Sequence, residues 1–347
     1  MAEDEVENAT VDTDADDPGW SNTRAWVEKS LPTRHRIHGV ETLHGGWTSQ
    51  MRRLLVNSDG TGDSAGEGEP YSLVLRSFVK PFYVKHAPGL LTREADTLRF
   101  LADTAVPAPR LHGVDATAAT CDHPSLLMSM LPGSPRLDAH DIEGKARLLA
   151  RQLQIIHSLP VPEASRPRTY EAWTSPERVQ LPENPNRPEV WQRALDVIRR
   201  PPPAYQPCFL HRDFHPGNVL FTQEGTTLTI TGVVDWVETS WGPADLDIAH
   251  CSTTLALLHG TPAGMQLAAH YTAAGGTLTS NATDHLYWRV LDALAFAPNA
   301  QKIAEPWRQL GRKDLTPTLL THRLENYLHT LLRTFNQSTT HTRHHHT

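Results

Sequence analysis

The sequence predicts an α+β fold in two lobes, a small β-rich N-lobe and a larger, mainly helical C-lobe. Three observations lead there. A chain of 347 residues is long for one domain and accommodates two lobes comfortably. Between Ile37 and Met130 the pattern is of short, β-favouring runs separated by glycine-rich and acidic connections. From Ile142 onward, apolar residues recur at helical spacing.

These patterns divide the chain into an acidic disordered tail over 1–22, an N-lobe over 23–130, a C-lobe over 131–335 and a disordered histidine-rich tail over 336–347. The net charge of −7 belongs to the first of these: eight acids and no bases fall within residues 1–17, which leaves the rest of the chain at +1. That tail has too little apolar surface to order itself. A near-neutral folded part argues against a nucleic-acid partner. No run approaches the roughly 18 apolar residues of a spanning helix, so no membrane partner is expected. The start, MAEDEVENAT, lacks the basic and apolar regions of a secretory signal. Cys121, Cys208 and Cys251 are odd in number and in no metal-type spacing, which together with that start suggests a reduced, cytoplasmic protein. Oligomeric state is not legible.

In the N-lobe, Met51–Asn57 and Tyr71–Phe78 read as strands joined by the flexible connection SDGTGDSAGEGEP. Thr92 is placed to cap a short helix, READTLRFLAD. Strands follow around Leu111–Asp115 and Pro124–Met130, and Leu131-Pro132-Gly133 signals a turn between the lobes. In the C-lobe, Ile142, Ala146, Leu149, Leu153 and Ile156 form one apolar stripe of a helix. A proline-rich stretch from Pro160 to Pro203 carries a helix near Val190–Arg199; short strands surround Phe209–Asp235, and helices run from Ala244 to about Phe335.

Two glycine-containing motifs near the N-terminus point to other chemistry and lack the context for it. His44-Gly45-Gly46 with Gly62-x-Ser64-x-Gly66 has the outline of a serine esterase. That elbow needs a strand before the serine and a helix after it, whereas Ser64 sits in a polar loop running into Glu-Gly-Glu-Pro. GTGDSAGEG has no Lys-Ser/Thr after it, and Asp63, Glu67 and Glu69 would repel phosphate, so it is no phosphate cradle.

The informative segment is CFLHRDFHPGNVLFTQEGTTLTITGVVDWVETSWGPADLDIAH, from Cys208 to His250. It holds His211-x-Asp213, then Asn218, and Asp235 at the end of an apolar strand. Phosphoryl transfer asks little covalent chemistry of a protein; it needs a carboxylate to orient the attacking hydroxyl, oxygen ligands for Mg²⁺ and cations on the phosphates. Asp213, Asn218 and Asp235 supply the first two. A polar turn followed by a hairpin is the plain alternative, but such a turn would not require this ordered set.

HRDFHPGN resembles the catalytic loop of the aminoglycoside phosphotransferase family, a branch of the protein-kinase-like superfamily, and VVDWVETSWGPADLDIAH resembles its metal-binding strand and the helix start beyond. The resemblance extends from about Leu43 to Leu332 and implies a protein-kinase-like fold, ATP or GTP as co-substrate, Mg²⁺, and a small hydroxylated acceptor. On it, Asp213 is the catalytic base or the group that positions the acceptor hydroxyl, and His211 orients the loop backbone. Asn218 and Asp235 hold Mg²⁺, and Asp247, rather than Asp245, braces the catalytic loop. His215 is equally a donor near the phosphates or a packing histidine. In the N-lobe, Gly45 and Gly46 stand in the nucleotide loop. Arg76 occupies the phosphate-pairing lysine's place, with a surface cation on an edge strand as the alternative. Glu94 is its helix carboxylate, and Met128–Met130 resemble the hinge that meets the nucleotide base.

Only the seven residues Trp236–Gly242 follow Asp235 before Pro-Ala-Asp-Leu-Asp, too few for a regulatory loop or a peptide-docking platform. The expectation is therefore a small-molecule kinase, with a catalytically silent nucleotide-binding protein as the alternative and a Ser64 esterase a distant third. From Ser280 onward five acids face eight bases, a balance that does not favour a polycationic acceptor. Trp236, Trp241, Trp288 and Trp307 are candidates to line an acceptor pocket, against the plainer reading that they are core.

Overall fold

The computed structural model describes residues 18–43, 48–58 and 69–343. They form two compact units, the first ending at Ala95 and regaining Pro109–Met130, the second comprising Asp96–Ala108 and the chain from Leu131 onward.

The first unit is built on one antiparallel sheet in the order β1-β2-β3-β5-β4, from β1 (His35–Leu43), β2 (Gln50–Ser58), β3 (Tyr71–Ser77), β4 (Leu111–Asp115) and β5 (Ser125–Ser129). In β2 burial alternates, with Arg52, Leu54 and Val56 turned inward, as the period of two requires of a half-buried strand. The core joins Leu54, Val56, Leu73, Leu75 and Leu127 to Trp20 and Val27. Of these, Trp20 falls within the expected tail of 1–22 and corrects that boundary. The chain is already ordered at a 3-10 turn, Pro18–Trp20, which leads into α1 (Ser21–Ser30). This helix has no local cap for a sequence reading to find, because Asp122 accepts from the Thr23 backbone N–H (2.8 Å) and hydroxyl (3.0 Å) from far along the chain.

Thr92 caps no helix. It lies inside α2 (Pro81–Leu101), which starts on a proline suited to a first helical position. Ala87, Leu91, Ala95, Leu98 and Leu101 are all buried at spacings of three and four, and this face carries the helix through Pro88. Packing outweighs the backbone hydrogen bond that Pro88 forgoes.

The second unit is mainly helical: α3 (Ile142–His157), α4 (Pro188–Ile198), α5 (Ala244–His259), α6 (Thr261–Ala273), α7 (Ala282–Ala295), α8 (Gln301–Gln309) and α9 (Pro317–Arg343). Two short antiparallel pairs join them, β6 (Pro207–Leu210) with β9 (Ser240–Pro243), and β7 (Val219–Glu224) with β8 (Thr227–Val233). Every residue of α5 from Ala244 to Leu258 is buried, so this helix is the unit's axis and not a one-faced surface helix. α3, α6, α7 and α9 pack around it. Helix α9 runs past the boundary expected at 336 to Arg343, since no glycine or proline follows Pro317 to stop it and extending a formed helix is cheap. Residues 344–346 of the histidine run lie outside the described residues.

Candidate active site

A helix as deeply buried as α5 cannot carry carboxylates without partners, and one of them, Asp247, finds its partners in the candidate catalytic loop, His211–Asn218. Asp247 accepts from the backbone N–H groups of His211 and Arg212, both at 2.8 Å, and faces Nε2 of His157 at 3.1 Å. Burial alone would raise its carboxyl; the His157 hydrogen bond and the attraction of His157, His211 and the Arg212 guanidinium outweigh it and hold the group below the ordinary range. Asp245 turns elsewhere, to His285 (2.6 Å) and to the backbone and hydroxyl of Thr279. The loop brace is therefore Asp247.

The loop needs bracing. Arg212 has φ +73°, a left-handed conformation that costs a non-glycine residue about 1–2 kcal/mol. Its N–H is tied to Asp247, its guanidinium donates to the carbonyl of Glu171 (3.2 Å) and lies 4.4 Å from the centroid of the Trp173 ring. His211, fully buried, uses both ring nitrogens on backbone: Nε2–H donates to the Val234 carbonyl at 3.0 Å, and Nδ1 accepts from the Asp213 N–H at 3.2 Å. That assignment requires a neutral ring, in keeping with burial pushing its pKa down. His211 couples the loop to the chain just before Asp235.

Asp213 follows with its carboxylate held on both oxygens. Oδ1 accepts from Nε2 of His250 at 3.1 Å, and Oδ2 from the Asn218 side-chain amide at 3.2 Å. Burial alone would raise its pKa; the His250 hydrogen bond and the neighbouring histidines outweigh it and bring it to about 2. His215 caps the turn Pro216–Asn218, its Nδ1 accepting from Gly217 N–H at 3.0 Å. A Cβ on Gly217 would come within 2.7 Å of that ring, which is why the turn carries glycine. Burial holds His215 neutral, its pKa lowered to about 4.

The amide of Asn218 donates to the Asp213 carbonyl (2.9 Å) as well as to its carboxylate, which orients Oδ1 away from Asp213. The Val234 N–H donates to the Asn218 carbonyl at 3.0 Å, tying the loop to the strand end just before Asp235. Asp235 itself lies beyond the end of β8, at φ +66°. An oriented amide oxygen and a carboxylate are hard donors of the kind Mg²⁺ takes, with phosphate and water completing the shell, so the residues present fit the ion.

In the first unit, Arg76 is on the central strand β3 and 4% exposed, which removes the surface-cation alternative. Its Nη1 donates to Glu94 of α2 at 2.9 Å, a buried pair that joins sheet and helix. Met128 is a buried residue in the middle of β5, laddered to Val74 on one side and Leu111 on the other. The Met130 N–H donates to the Ser72 carbonyl at 3.2 Å, which narrows the expected hinge contact to groups other than that N–H. Gly45, Gly46 and Ser64 lie outside the described residues.

Three of the four candidate pocket tryptophans, Trp236, Trp288 and Trp307, are fully buried core side chains. Trp236 and Trp307 pack from the core against His211 and His215 of the loop, and a half-buried tryptophan beside the loop is Trp173, from the proline-rich stretch. That stretch is pinned there by Tyr170 and Arg168, whose backbones exchange hydrogen bonds with Trp241, and by the Arg168–Glu238 ion pair at 2.8 Å. Sequence reasoning also passed over His250 and Asp292. His250 lies within the informative segment, but nothing in its spacing signals contact with Asp213.

The sequence from residue 40 to 322 matches the model of the phosphotransferase enzyme family, and the chain belongs to that family. Among solved structures it is similar to a macrolide 2'-phosphotransferase of type I (TM-score 0.54, 19% identity, 87% of this chain and 98% of that one). It is also similar to a thermostable mutant of the aminoglycoside phosphotransferase APH(4)-Ia in a ternary complex with AMP-PNP and hygromycin B (0.55, 15%, 90% and 98%). A third is a protein of Ralstonia eutropha whose assignment as an aminoglycoside phosphotransferase is provisional (0.58, 15%, 91% and 98%). At these identities the likeness establishes the kinase-like fold. No curated protein matches the chain. Among the described residues no helix is long and apolar enough to cross a membrane.

Proposed function

We propose that this phosphotransferase moves the γ-phosphoryl group of ATP or GTP to a hydroxyl of a small molecule, an antibiotic or a metabolite. The observation that carries the reading is the Asp213 carboxylate, ionised and held on both oxygens, in a loop that Asp247 and His211 immobilise. In the proposed reaction the acceptor O–H donates to Asp213. The acceptor oxygen bonds to the γ-phosphorus as the bond to the β-phosphate bridging oxygen breaks, and the hydroxyl proton leaves through Asp213. A carboxylate with a pKa of about 2 is a weak base, which suits a loose phosphoryl transition state in which positioning outweighs proton abstraction. Asn218 and Asp235 are the residues to hold Mg²⁺, which when bound neutralises charge on the phosphoryl oxygens. Arg76, set by Glu94, is the cation for the non-transferred phosphates, and its fixed fork suits bidentate grip.

A small acceptor is supported by the connection after Asp235. Trp236–Thr239 forms one tight turn with a buried tryptophan, and the chain then enters β9 and α5 directly. The test is to incubate the protein with ATP or GTP, Mg²⁺ and a panel of aminoglycosides, macrolides, amino alcohols and sugars. Mass spectrometry should find a product about 80 Da heavier that disappears with Asp213→Ala. Transfer that survives Asp213→Ala would overturn the role of Asp213, and failure to bind Mg-nucleotide would sink the function.

A further inference from the structure

His250 stands between two carboxylates. Its Nε2 is 3.1 Å from Oδ1 of Asp213 and its Nδ1 is 3.1 Å from Oδ1 of Asp292, on α7. An ionised carboxylate can only accept, so both ring nitrogens must donate, and a ring that donates twice is an imidazolium. Both anchors are needed to balance the site: Asp292 is 4% exposed and its Oδ2 has no hydrogen-bond partner among the described residues, so removing the cation would strand a buried anion. The ring is also wedged in place, with Phe296 stacked on it at 5.5 Å and Trp173 edge-on at 5.0 Å.

We propose that His250 is a positioning residue for the reaction, a charged donor anchored by Asp292 that sets the Asp213 carboxylate to receive the acceptor hydroxyl. The inference rests on the reading of Asp213 as the group that meets the acceptor. Together with the Asn218 amide on the opposite oxygen, His250 leaves the carboxylate no free rotation. A histidine serving only to pack would not place both nitrogens on carboxylates; His211, which scaffolds the same loop, spends both of its nitrogens on backbone. The other histidine near Asp213 is not an equivalent donor. Nε2 of His215 is 3.9 Å from Asp213 Oδ1, and its Nδ1 accepts from Gly217, so the ring is neutral. Consistent with the geometry, the two carboxylates and their hydrogen bonds hold the His250 pKa at about 9 against burial, which lowers it.

The test uses the full-length protein and four variants, His250→Gln, His250→Phe, Asp292→Asn and Asp213→Asn. Turnover is read as Mg-nucleotide hydrolysis with water as acceptor, and ring protonation by ¹⁵N NMR of histidine-labelled protein. In the parent protein both ring nitrogens of His250 are expected to be protonated, with downfield N–H signals that change in Asp292→Asn and Asp213→Asn. kcat is expected to fall roughly 10- to 100-fold in His250→Phe, the cost of a misplaced catalytic group. It should fall less in His250→Gln, which keeps a donor toward Asp213, and the nucleotide KM should stay unchanged in both. A folded His250→Phe with parental kcat would overturn the proposal, as would equal losses in the Gln and Phe variants that only track melting temperature. Should His250→Phe not fold, Asp292→Asn decides: parental kcat and unmoved ring signals would overturn the proposal, and a kcat-specific loss would support it. Loss of turnover in Asp213→Asn with full turnover in the His250 variants would reject this inference alone. Full turnover in Asp213→Asn would reject the role of Asp213 on which the inference rests.

Discussion

Asp247→Asn separates a structural brace from a residue that merely sits near the site. The carboxylate takes three donors, the His211 and Arg212 N–H groups at 2.8 Å each and His157 Nε2 at 3.1 Å. Asparagine has one acceptor oxygen, so in either amide orientation its NH₂ faces at least one buried backbone N–H. A buried donor left unpaired costs about 1–3 kcal/mol, and losing the charge from the remaining bonds adds to it. The expected total is about 3 kcal/mol, which at ~2–4 °C per kcal/mol lowers Tm by about 6–12 °C. Turnover should suffer more than stability suggests. Without the tie to Asp247, Arg212 can relax from φ +73°, and Asp213, the next residue, moves with it. A displacement of about 1 Å costs roughly 100-fold in rate. The pH dependence has a definite sign. The folded carboxyl is held below its ordinary value of 3.8, so its contribution is complete above that pH and is lost as pH falls below it. The gap in stability between parent and variant should therefore close in acid. Thermal unfolding followed by circular dichroism, at neutral pH and near pH 3, reads both effects. An Asp247→Asn variant that melts with the parent and turns over normally would refute the bracing argument.

Three further outcomes are expected. Arg76→Met should cost about 3–5 kcal/mol by breaking its buried pair with Glu94, and Arg76→Met/Glu94→Leu should recover much of that loss without recovering nucleotide affinity. Urea unfolding and nucleotide titration separate the two. The parent protein should lose stability as pH rises from 6.5 toward 9, because the folded pKa of His250 is raised among Asp213, His215 and Asp292, and a raised histidine contributes fully only below its unfolded value. Urea unfolding across that window should show His250→Gln without this slope. Asn218→Ala and Asp235→Asn should each raise the Mg²⁺ concentration needed for half-maximal turnover by roughly tenfold or more, with folding intact by circular dichroism.

How much was legible in advance varied with the range of the interactions involved. Four sheet strands were readable because alternation is local, and α3 because its stripe of Ile142, Ala146, Leu149, Leu153 and Ile156 repeats within a few turns. Helix α1 was not, since Asp122 caps it and Trp20 and Val27 find their core only in three dimensions. Thr92 misled because a good local capping residue competes with a longer packing face, and the face won. The tryptophans misled in the opposite sense, because no local pattern tells a core indole from a pocket wall.

For this protein, then, the order of residues from His211 to Asp247 was enough to name the chemistry: a carboxylate, an amide, a second carboxylate and a bracing aspartate follow one another in a single segment. Their spacing is dictated by one loop and one hairpin, so composition and order carry it. The charge state and stiffness of Asp213 were decided only by folding. They depend on His250 and Asp292, on two helices that meet at the core, where the carboxylates of Asp213 and Asp292 hold the His250 ring charged against burial. A buried charge exists only where tertiary packing has brought its counter-charges together, and no local pattern encodes that.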